Sequence, residues 1–294
     1  MVSQEVTTDI SQRLSDKFGT SVVINKTTPL GGGCIHHATR LETTAGSFFL
    51  KWNGSCAADM FIREAEGLRE MRKARPDPLV IPEVILFREV SVTPGYLLLE
   101  YLEEGMTSGS EEQLGRGLAS LHRFGGEKFG FHADNYCGLT RQDNSWSDDW
   151  PAFFGEKRIW ALVEKCRKSR GFSSGEIKLF ERLVAGIPGL IAPVSIPSLI
   201  HGDLWSGNYL FSRKGPSLID PASCYADREM EMGIMTLFGG FSRTFWAAYH
   251  EAYPLPHDWK DRNRLYQLYH VLNHYLLFGG HYGSSAVEIA RHYV

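Results

Sequence analysis

Three observations predict an α+β enzyme of two lobes. The first hundred residues alternate short β-type runs with one inserted helix, the rest of the chain is mainly helical in pattern, and the composition changes after an apolar strand that ends near residue 102. The expected organisation is therefore a first lobe over residues 1–102 and a helical second lobe over 103–294.

Taken in order, Thr7 to Phe18 reads as a short amphipathic helix. Ser21 to Pro29, Ala38 to Thr43 and Ser47 to Trp52 read as strands separated by Gly-containing turns, which predicts an antiparallel sheet. Ala57 to Arg75 places Phe61, Ala65, Leu68 and Met71 at helical spacing and stops at Pro76 and Pro78. Strands over Val84 to Arg88 and Tyr96 to Leu102 complete the lobe. Beyond Glu111, helices are expected over Gln113 to Phe124, Trp150 to Ser169, Ser174 to Gly186, Glu231 to Tyr249 and Arg262 to Phe278. Two short strands, Asn208 to Phe211 and Ser217 to Ile219, interrupt them, and the Gly-, Asn-, Asp- and Ser-rich stretch Tyr136 to Asp149 reads as a loop.

Composition narrows the function classes. With 31 Lys+Arg against 34 Asp+Glu and no long block of either sign, a chain that neutralises a nucleic-acid backbone or an anionic membrane is not indicated. The first 17 residues lack the apolar core of a secretion signal, and no run reaches the ~20 apolar residues that span a bilayer. A cytoplasmic protein is expected, with its five cysteines reduced, since they form no CxxC pair and their number is odd.

The chemistry concentrates in His201-Gly202-Asp203-Leu204-Trp205-Ser206-Gly207-Asn208 and in Leu218-Ile219-Asp220. Phosphoryl transfer needs a carboxylate to orient an attacking hydroxyl and take its proton, and oxygen ligands that hold Mg²⁺ against a triphosphate. Asp203 suits the first task, and Asn208 and Asp220 suit the second. Asn208 follows Asp203 by five positions, the offset of an HRDxxxxN catalytic loop, and one hairpin would bring all three together. The bland alternative is an acidic turn with an Asn cap.

ATP also needs a cation on its α and β phosphates, held by a carboxylate from a nearby helix. Lys51 ends a strand and Glu64 lies on the following helix, although Glu66 competes with Glu64 for the role. Upstream, Gly31-Gly32-Gly33-Cys34 between two strands can bring backbone N–H groups to phosphate oxygens, so Gly32 and Gly33 are candidate nucleotide contacts. The backbone of Glu100, Tyr101 and Leu102, at the lobe junction, is placed to pair with adenine, unless it is a plain linker.

These segments resemble the fructosamine kinase family, a branch of the aminoglycoside phosphotransferase and choline kinase group. The resemblance rests on HGDLWSGN with the later Asp220-Pro221-Ala222, on Leu30 to Gly33, Leu98 to Leu102 and Phe129 to Phe131, and on Asp134 to Gly138. Asp149-Trp150 with Phe153-Phe154, Asp227 to Met230 and Leu237 to Phe241 continue it in family order over nearly the whole chain. It implies a bilobal protein-kinase-like fold, ATP and Mg²⁺ as cofactors, and transfer of the γ-phosphoryl group to a ketosamine hydroxyl, O3 of a fructosamine or ribulosamine, in deglycation. Carried over by position, Asp203 is the base, Asn208 and Asp220 are the metal ligands, and Lys51 with Glu64 positions the phosphates. Ala226 and Glu231 depart from the Gly and Asp expected there, changes read as affecting loop shape or substrate fit. Gly202 in place of the Arg of HRD argues against control by an activation-loop phosphate.

Trp205, Asp227 and Arg228 are candidate acceptor contacts; Trp205 would either stack on a sugar or support the loop. His270 and His274 stand at i and i+4 without the Glu of HExxH, and read as a core or solvent-facing pair. His36 and His37 read as turn residues. Cys34, in a Gly loop, is a candidate redox thiol, compatible with either a monomer or a redox-sensitive dimer. Two other functions stay open: a kinase of another small hydroxyl compound, such as an aminoglycoside, choline or methylthioribose, and an inactive binding protein that keeps the fold.

Overall fold

The structure, a computed structural model, describes residues 2–31, 36–91, 93–106, 109–192, 194 and 196–294. Helix α1 (Gln4–Phe18) starts where the Ser3 side chain accepts from Val6 N–H and stops at Gly19, whose φ is 68°. Strands β1 (Ile24–Leu30), β2 (His37–Thr43), β3 (Gly46–Asn53), β4 (Val84–Arg88) and β5 (Gly95–Glu100) form one antiparallel sheet in the order β1-β2-β3-β5-β4. Helix α2 (Met60–Lys73) is the one insertion between β3 and β4.

The two-residue period of the strands divides this lobe between two cores. Tyr96 and Leu98 on β5, with Phe48 and Leu50 on β3, pack with Val6, Ile10 and Leu14 of α1. Leu97 and Leu99 turn the other way, into the large core that runs from Phe61 and Leu68 of α2 through the second lobe. Strand β5 is therefore apolar at consecutive positions because it is covered on both faces. On β3 the alternation leaves Phe49 and Lys51 on the face away from α1, lining a cleft.

The second lobe is helical: α3 (Ser110–Arg123), α4 (Trp150–Ala152) continuing through a π-helical stretch Phe153–Trp160 into α5 (Ala161–Ser169), then α6 (Ser174–Leu190). After the active-centre loops come α7 (Glu229–Phe238), α8 (Arg243–Ala252), α9 (Trp259–Phe278) and α10 (Tyr282–His292). No helix among the described residues is long and apolar enough to cross a membrane.

Three expectations are corrected. The single helix expected over Glu231 to Tyr249 is two, because Gly239 and Gly240, at φ 70° and 91°, break it and turn the chain. The stretch expected as a loop from Tyr136 to Asp149 opens with a hairpin, β6 (Asn135–Cys137) paired to β7 (Thr140–Gln142). Gln142 and Asn144 within it are buried and satisfied by buried partners, while Arg141, Asp143 and Ser145 face solvent. Gln142 Nε2 and Asn144 Nδ2 donate to Asn135 Oδ1 at 3.0 and 2.8 Å, and the fully buried Arg158 donates to Asn144 Oδ1 at 2.6 Å. Finally, the second lobe has more strands than the two expected, because β8 (Ser198–Ile200) pairs with β11 (Cys224–Ala226).

Candidate active site

The two extra strands explain how the site is held. Strand β8 runs directly into His201, and β11 follows the Asp220 loop, so the pair clamps both ends of the segment that carries the chemistry. Between them β9 (Tyr209–Ser212) and β10 (Gly215–Leu218) form a hairpin in which Tyr209 faces Leu218, and Ile219 N–H donates to Asn208 C=O at 3.0 Å. The hairpin brings Asp203, Asn208 and Asp220 to one cleft, as the spacing predicts. Its cavity of about 290 Å³ is also lined by Lys51, Glu64, Arg63, Tyr136 and Trp205.

The loop over residues 201–208 is too irregular for a backbone ladder, and side chains satisfy it instead. Asn208 Nδ2 donates to the Asp203 carbonyl at 2.8 Å and to its Oδ2 at 3.3 Å, which leaves Asn208 Oδ1 as an acceptor. His201 bridges Ile219 C=O through Nε2 (2.8 Å) and accepts from Asp203 N–H at Nδ1 (3.3 Å), and burial lowers its pKa, so the neutral ring ties the two loops together. Gly202 has φ +85°, and a Cβ there would sit 2.3 Å from Ala222 C=O. The Gly of HGD is thus a steric requirement of the closeness of the two loops.

Beneath the loop lies Glu231, fully buried on α7. Its carboxylate accepts from His201 N–H at 2.5 Å and from Gly202 N–H at 3.1 Å. His122 Nε2 stands 3.7 Å from the same carboxylate, while His122 Nδ1 is 2.8 Å from Tyr249 Oη. Sequence reasoning saw Glu231 only as a departure affecting loop shape or acceptor fit; it is an anchor of the catalytic loop. The signal available was an acidic residue in an otherwise apolar helix, Met-Glu-Met-Gly-Ile-Met. Gly240 closes the arrangement from outside: a Cβ there would meet Ser206 at 2.5 Å, and its carbonyl accepts from Tyr209 Oη at 2.7 Å.

Across the cleft, Lys51 Nζ is 3.0 and 2.9 Å from the two Glu64 oxygens and 2.8 Å from Asp220 Oδ1. Lys51 and Glu64 are almost fully buried, while the Asp220 side chain is 39% exposed to the cleft. Burial alone would depress the Lys51 pKa, but Asp220 and Glu64 together hold it above its ordinary value. The same cation keeps Asp220 below the usual carboxylate range against the opposing effect of burial, whereas burial and Asp220 push Glu64 upward. Asp203 has no such cation; burial, Glu231 and Asp220 raise it to about 8. Asp220 also adopts a left-handed backbone, φ 56°, a conformation that Asp tolerates better than most non-glycine residues.

Glu66, the competitor for the Lys51 partner, pairs with Arg63 at 2.9 Å instead. Trp205 is 38% exposed and lines the cleft, with its ring over Gly207. His36, read as a turn residue, also lines it; its Nδ1 faces Asn53 Nδ2 at 3.2 Å, and burial and Lys51 lower its pKa to about 4. Glu100, Tyr101 and Leu102 stand at the lobe junction, where Glu100 meets Lys214 and the Tyr101 ring lies 4.5 Å from the Arg40 guanidinium. Gly32, Gly33 and Cys34 lie outside the described residues.

The expectation for Asp227 and Arg228 is corrected, because neither lines this cleft. Asp227 accepts from Tyr266 Oη at 2.6 Å and from Glu229 N–H at 3.0 Å. Arg228 donates to the Tyr253 and Pro254 carbonyls at 2.8 and 2.5 Å, and its guanidinium lies 3.5 Å from the centre of the Tyr253 ring. Both are occupied in holding α7 against α8 and α9.

This geometry agrees with the relationships of the chain. The family profile described as fructosamine kinase matches residues 6–294. The chloroplastic protein-ribulosamine 3-kinase of Arabidopsis thaliana is 38% identical over 280 residues, which span 94% of this chain and 85% of that one. A probable ketoamine kinase of Vibrio cholerae is 37% identical over 95% of this chain and 96% of its own. The crystal structure of a fructosamine-3-kinase candidate from Thermobifida fusca superposes with a TM-score of 0.84 at 30% identity, covering 96% and 97% of the two chains. An aminoglycoside phosphotransferase, at 13% identity and a TM-score of 0.64 over 96% and 98%, shares the fold alone. The chain belongs to the fructosamine kinase family.

Proposed function

We infer that the protein transfers the γ-phosphoryl group of ATP to a hydroxyl of a ketosamine, a fructosamine or ribulosamine, at O3. The observation that carries this reading is the meeting, in one cleft, of a carboxylate with a raised pKa, Asp203, and a buried Lys51–Glu64 pair that touches Asp220. Burial and the neighbouring Glu231 and Asp220 raise the Asp203 pKa, which strengthens the ionised carboxylate as a proton acceptor. In this assignment Asp203 orients the acceptor hydroxyl and takes its proton. Lys51, held by Glu64, supplies fixed positive charge to the phosphates.

The donor set fits Mg²⁺: Asn208 Oδ1 is free of the bond its amide nitrogen makes, and the Asp220 carboxylate is partly open to the cleft, both being hard oxygen ligands. Asn208 and Asp220 would hold Mg²⁺, which would supply charge neutralisation to the phosphates when bound. The names of the ribulosamine and ketoamine kinases support the acceptor class. Trp205, exposed in the cleft, offers an indole face to a sugar. The backbone of Glu100 to Leu102 as adenine contact, the division at residues 102 and 103, and a cytoplasmic setting belong to the same proposal. The free thiols of Cys56, Cys137, Cys166 and Cys224 accord with that setting.

Turnover of Mg·ATP by wild type and Asp203→Ala, against fructosyl-lysine, ribulosyl-lysine, choline and an aminoglycoside, tests it by mass spectrometry of the products. Asp203-dependent phosphorylation of ketosamines is the expected result. Preference for choline or the aminoglycoside would overturn the acceptor, and ATP binding without transfer to any acceptor would favour a binding protein.

A further inference from the structure

Behind the proposed base lies a group of side chains that phosphoryl transfer leaves without a role. Cys137, on β6, and His270, on α9, converge on Asp203 so that one ligand atom from each of the three lies within 4.8 Å of the others. Cys137 and His270 are 2% and 1% exposed. Two polar atoms, His270 Nδ1 and Asn273 Oδ1, are buried without a hydrogen-bond partner among the described residues, while Asn273 Nδ2 donates to Cys137 Sγ at 3.4 Å. Buried polar atoms left unpaired are costly, and a group of them around a thiol and a carboxylate calls for a ligand.

We propose that Cys137, His270 and Asp203 form an inhibitory site for Zn²⁺, distinct from the Asn208–Asp220 pair. The donor set is one sulfur, one imidazole nitrogen and one carboxylate oxygen. That combination suits a borderline-soft ion, which takes Cys, His and carboxylate ligands tetrahedrally, and a thiolate is a poor ligand for Mg²⁺. Zinc–ligand bonds of about 2.0–2.3 Å require the three atoms to close by roughly an ångström along the longest edge, within the reach of side-chain rotation. Cys137 must release its proton to solvent on binding. One thiolate and one carboxylate then balance the charge of the ion, so the buried complex is electrically neutral.

The site does not depend on the role given to Asp203, but inhibition does. A carboxylate engaged by zinc can no longer accept the proton of an acceptor hydroxyl. His270 was read beside His274 and set aside as a metal ligand; its partners across the fold are Cys137 and Asp203, on other elements.

Co²⁺ titration of the full chain, without ATP or Mg²⁺, tests the site itself. A thiolate-to-cobalt band in the near ultraviolet is expected at one equivalent, lost in Cys137→Ser and displaced by Zn²⁺. Absence of the band in wild type, or its persistence in Cys137→Ser, would overturn the site. With Mg·ATP saturating and constant, Zn²⁺ inhibition is then measured for wild type, Cys137→Ser and His270→Gln, each against its own zinc-free rate. A rise of about tenfold or more in the inhibitory concentration is expected in both variants. Equal inhibition of all three proteins would mean exchange at the Mg²⁺ site and would overturn the inhibitory role, whatever the cobalt spectra show.

Discussion

The two walls of the cleft reach their geometry by different means. On the first-lobe wall, Lys51 and Glu64 project from a regular strand and a regular helix, whose backbones are satisfied by the β3 ladder and by α2 itself. On the second-lobe wall, residues 201–208 have no such ladder, and Glu231, His201 and Asn208 supply the missing partners from side chains. A regular element positions a group by local rules, whereas an irregular loop needs buried polar residues that are distant in sequence. The second wall is accordingly the one on which substitutions far from the acceptor should disturb catalysis.

The largest expected effect falls on that wall. Asp203→Asn keeps the size of the side chain but removes the base, and should lower kcat by about 10²- to 10⁴-fold with little change in ATP binding. Titration calorimetry with ATP beside steady-state kinetics would check both halves. An Asn variant of near wild-type rate would remove Asp203 from the chemistry.

On the opposite wall, Lys51→Met should reduce kcat/KM by about 10²- to 10³-fold and also lower the Tm, since Glu64 is left buried without its cation. Adding Glu64→Leu sharpens the comparison: the Tm should recover and turnover should not. Recovery of both would mean that the pair serves folding alone.

Glu231→Ala leaves the buried N–H groups of His201 and Gly202 without an acceptor, at a cost of about 1–3 kcal/mol each. The loop that carries Asp203 loosens, and kcat should fall by about 10- to 10²-fold while KM for ATP stays within twofold or so. Glu231→Gln, which keeps one acceptor oxygen, should recover part of the loss. If Ala and Gln behave alike and only stability changes, the anchor has no part in catalysis.

The pH dependence of stability also separates the walls. Burial lowers His122 and His201, and brings His270 to about 3. A histidine depressed in the folded state contributes stability that is present above its unfolded value near 6.5 and is lost as pH falls towards the folded value. Between pH 7 and pH 4 the raised Asp203 and Glu64 carboxylates act in the opposite sense, so the readout is the difference between proteins: the urea midpoint of His270→Gln relative to wild type should be higher at pH 4 than at pH 7. An unchanged difference between the two pH values would place the acid sensitivity elsewhere.

The smallest effect belongs to the first lobe, away from the site. Ser3→Ala removes the cap of α1 and should cost about 1 kcal/mol, with kcat unaltered. A change in kcat would show that α1 and its small core set the position of Lys51 through β3.

The first wall was legible in the sequence because its signals are local. Lys51 was read at the end of a strand, and the spacing of Phe61, Ala65, Leu68 and Met71 gave α2; on the second wall the offset between Asp203 and Asn208 was the comparably local signal. What escaped were relations between distant residues. Nothing near Glu231 says that it lies under His201, thirty positions earlier, and nothing near Tyr136 says that its hydroxyl will meet Asp59 at the cleft. The polar letters from Tyr136 to Asp149 were read as loop because burial of Gln142 and Asn144 depends on partners, Asn135 and Arg158, that lie outside the segment.

The sequence by itself determined the α+β plan from short-range periods and the family from motifs that resemble it in order, and it offered the base, cation and metal-ligand candidates through local offsets. Only the tertiary structure decided that Asp227 and Arg228 stand outside the cleft, that Glu231 lies under His201 and Gly202, and that Cys137 and His270 flank Asp203. The physical reason is that a carboxylate, an imidazole or a thiol is chemically the same letter wherever it stands. Its role is set by burial and by the partners that the fold brings within hydrogen-bonding distance.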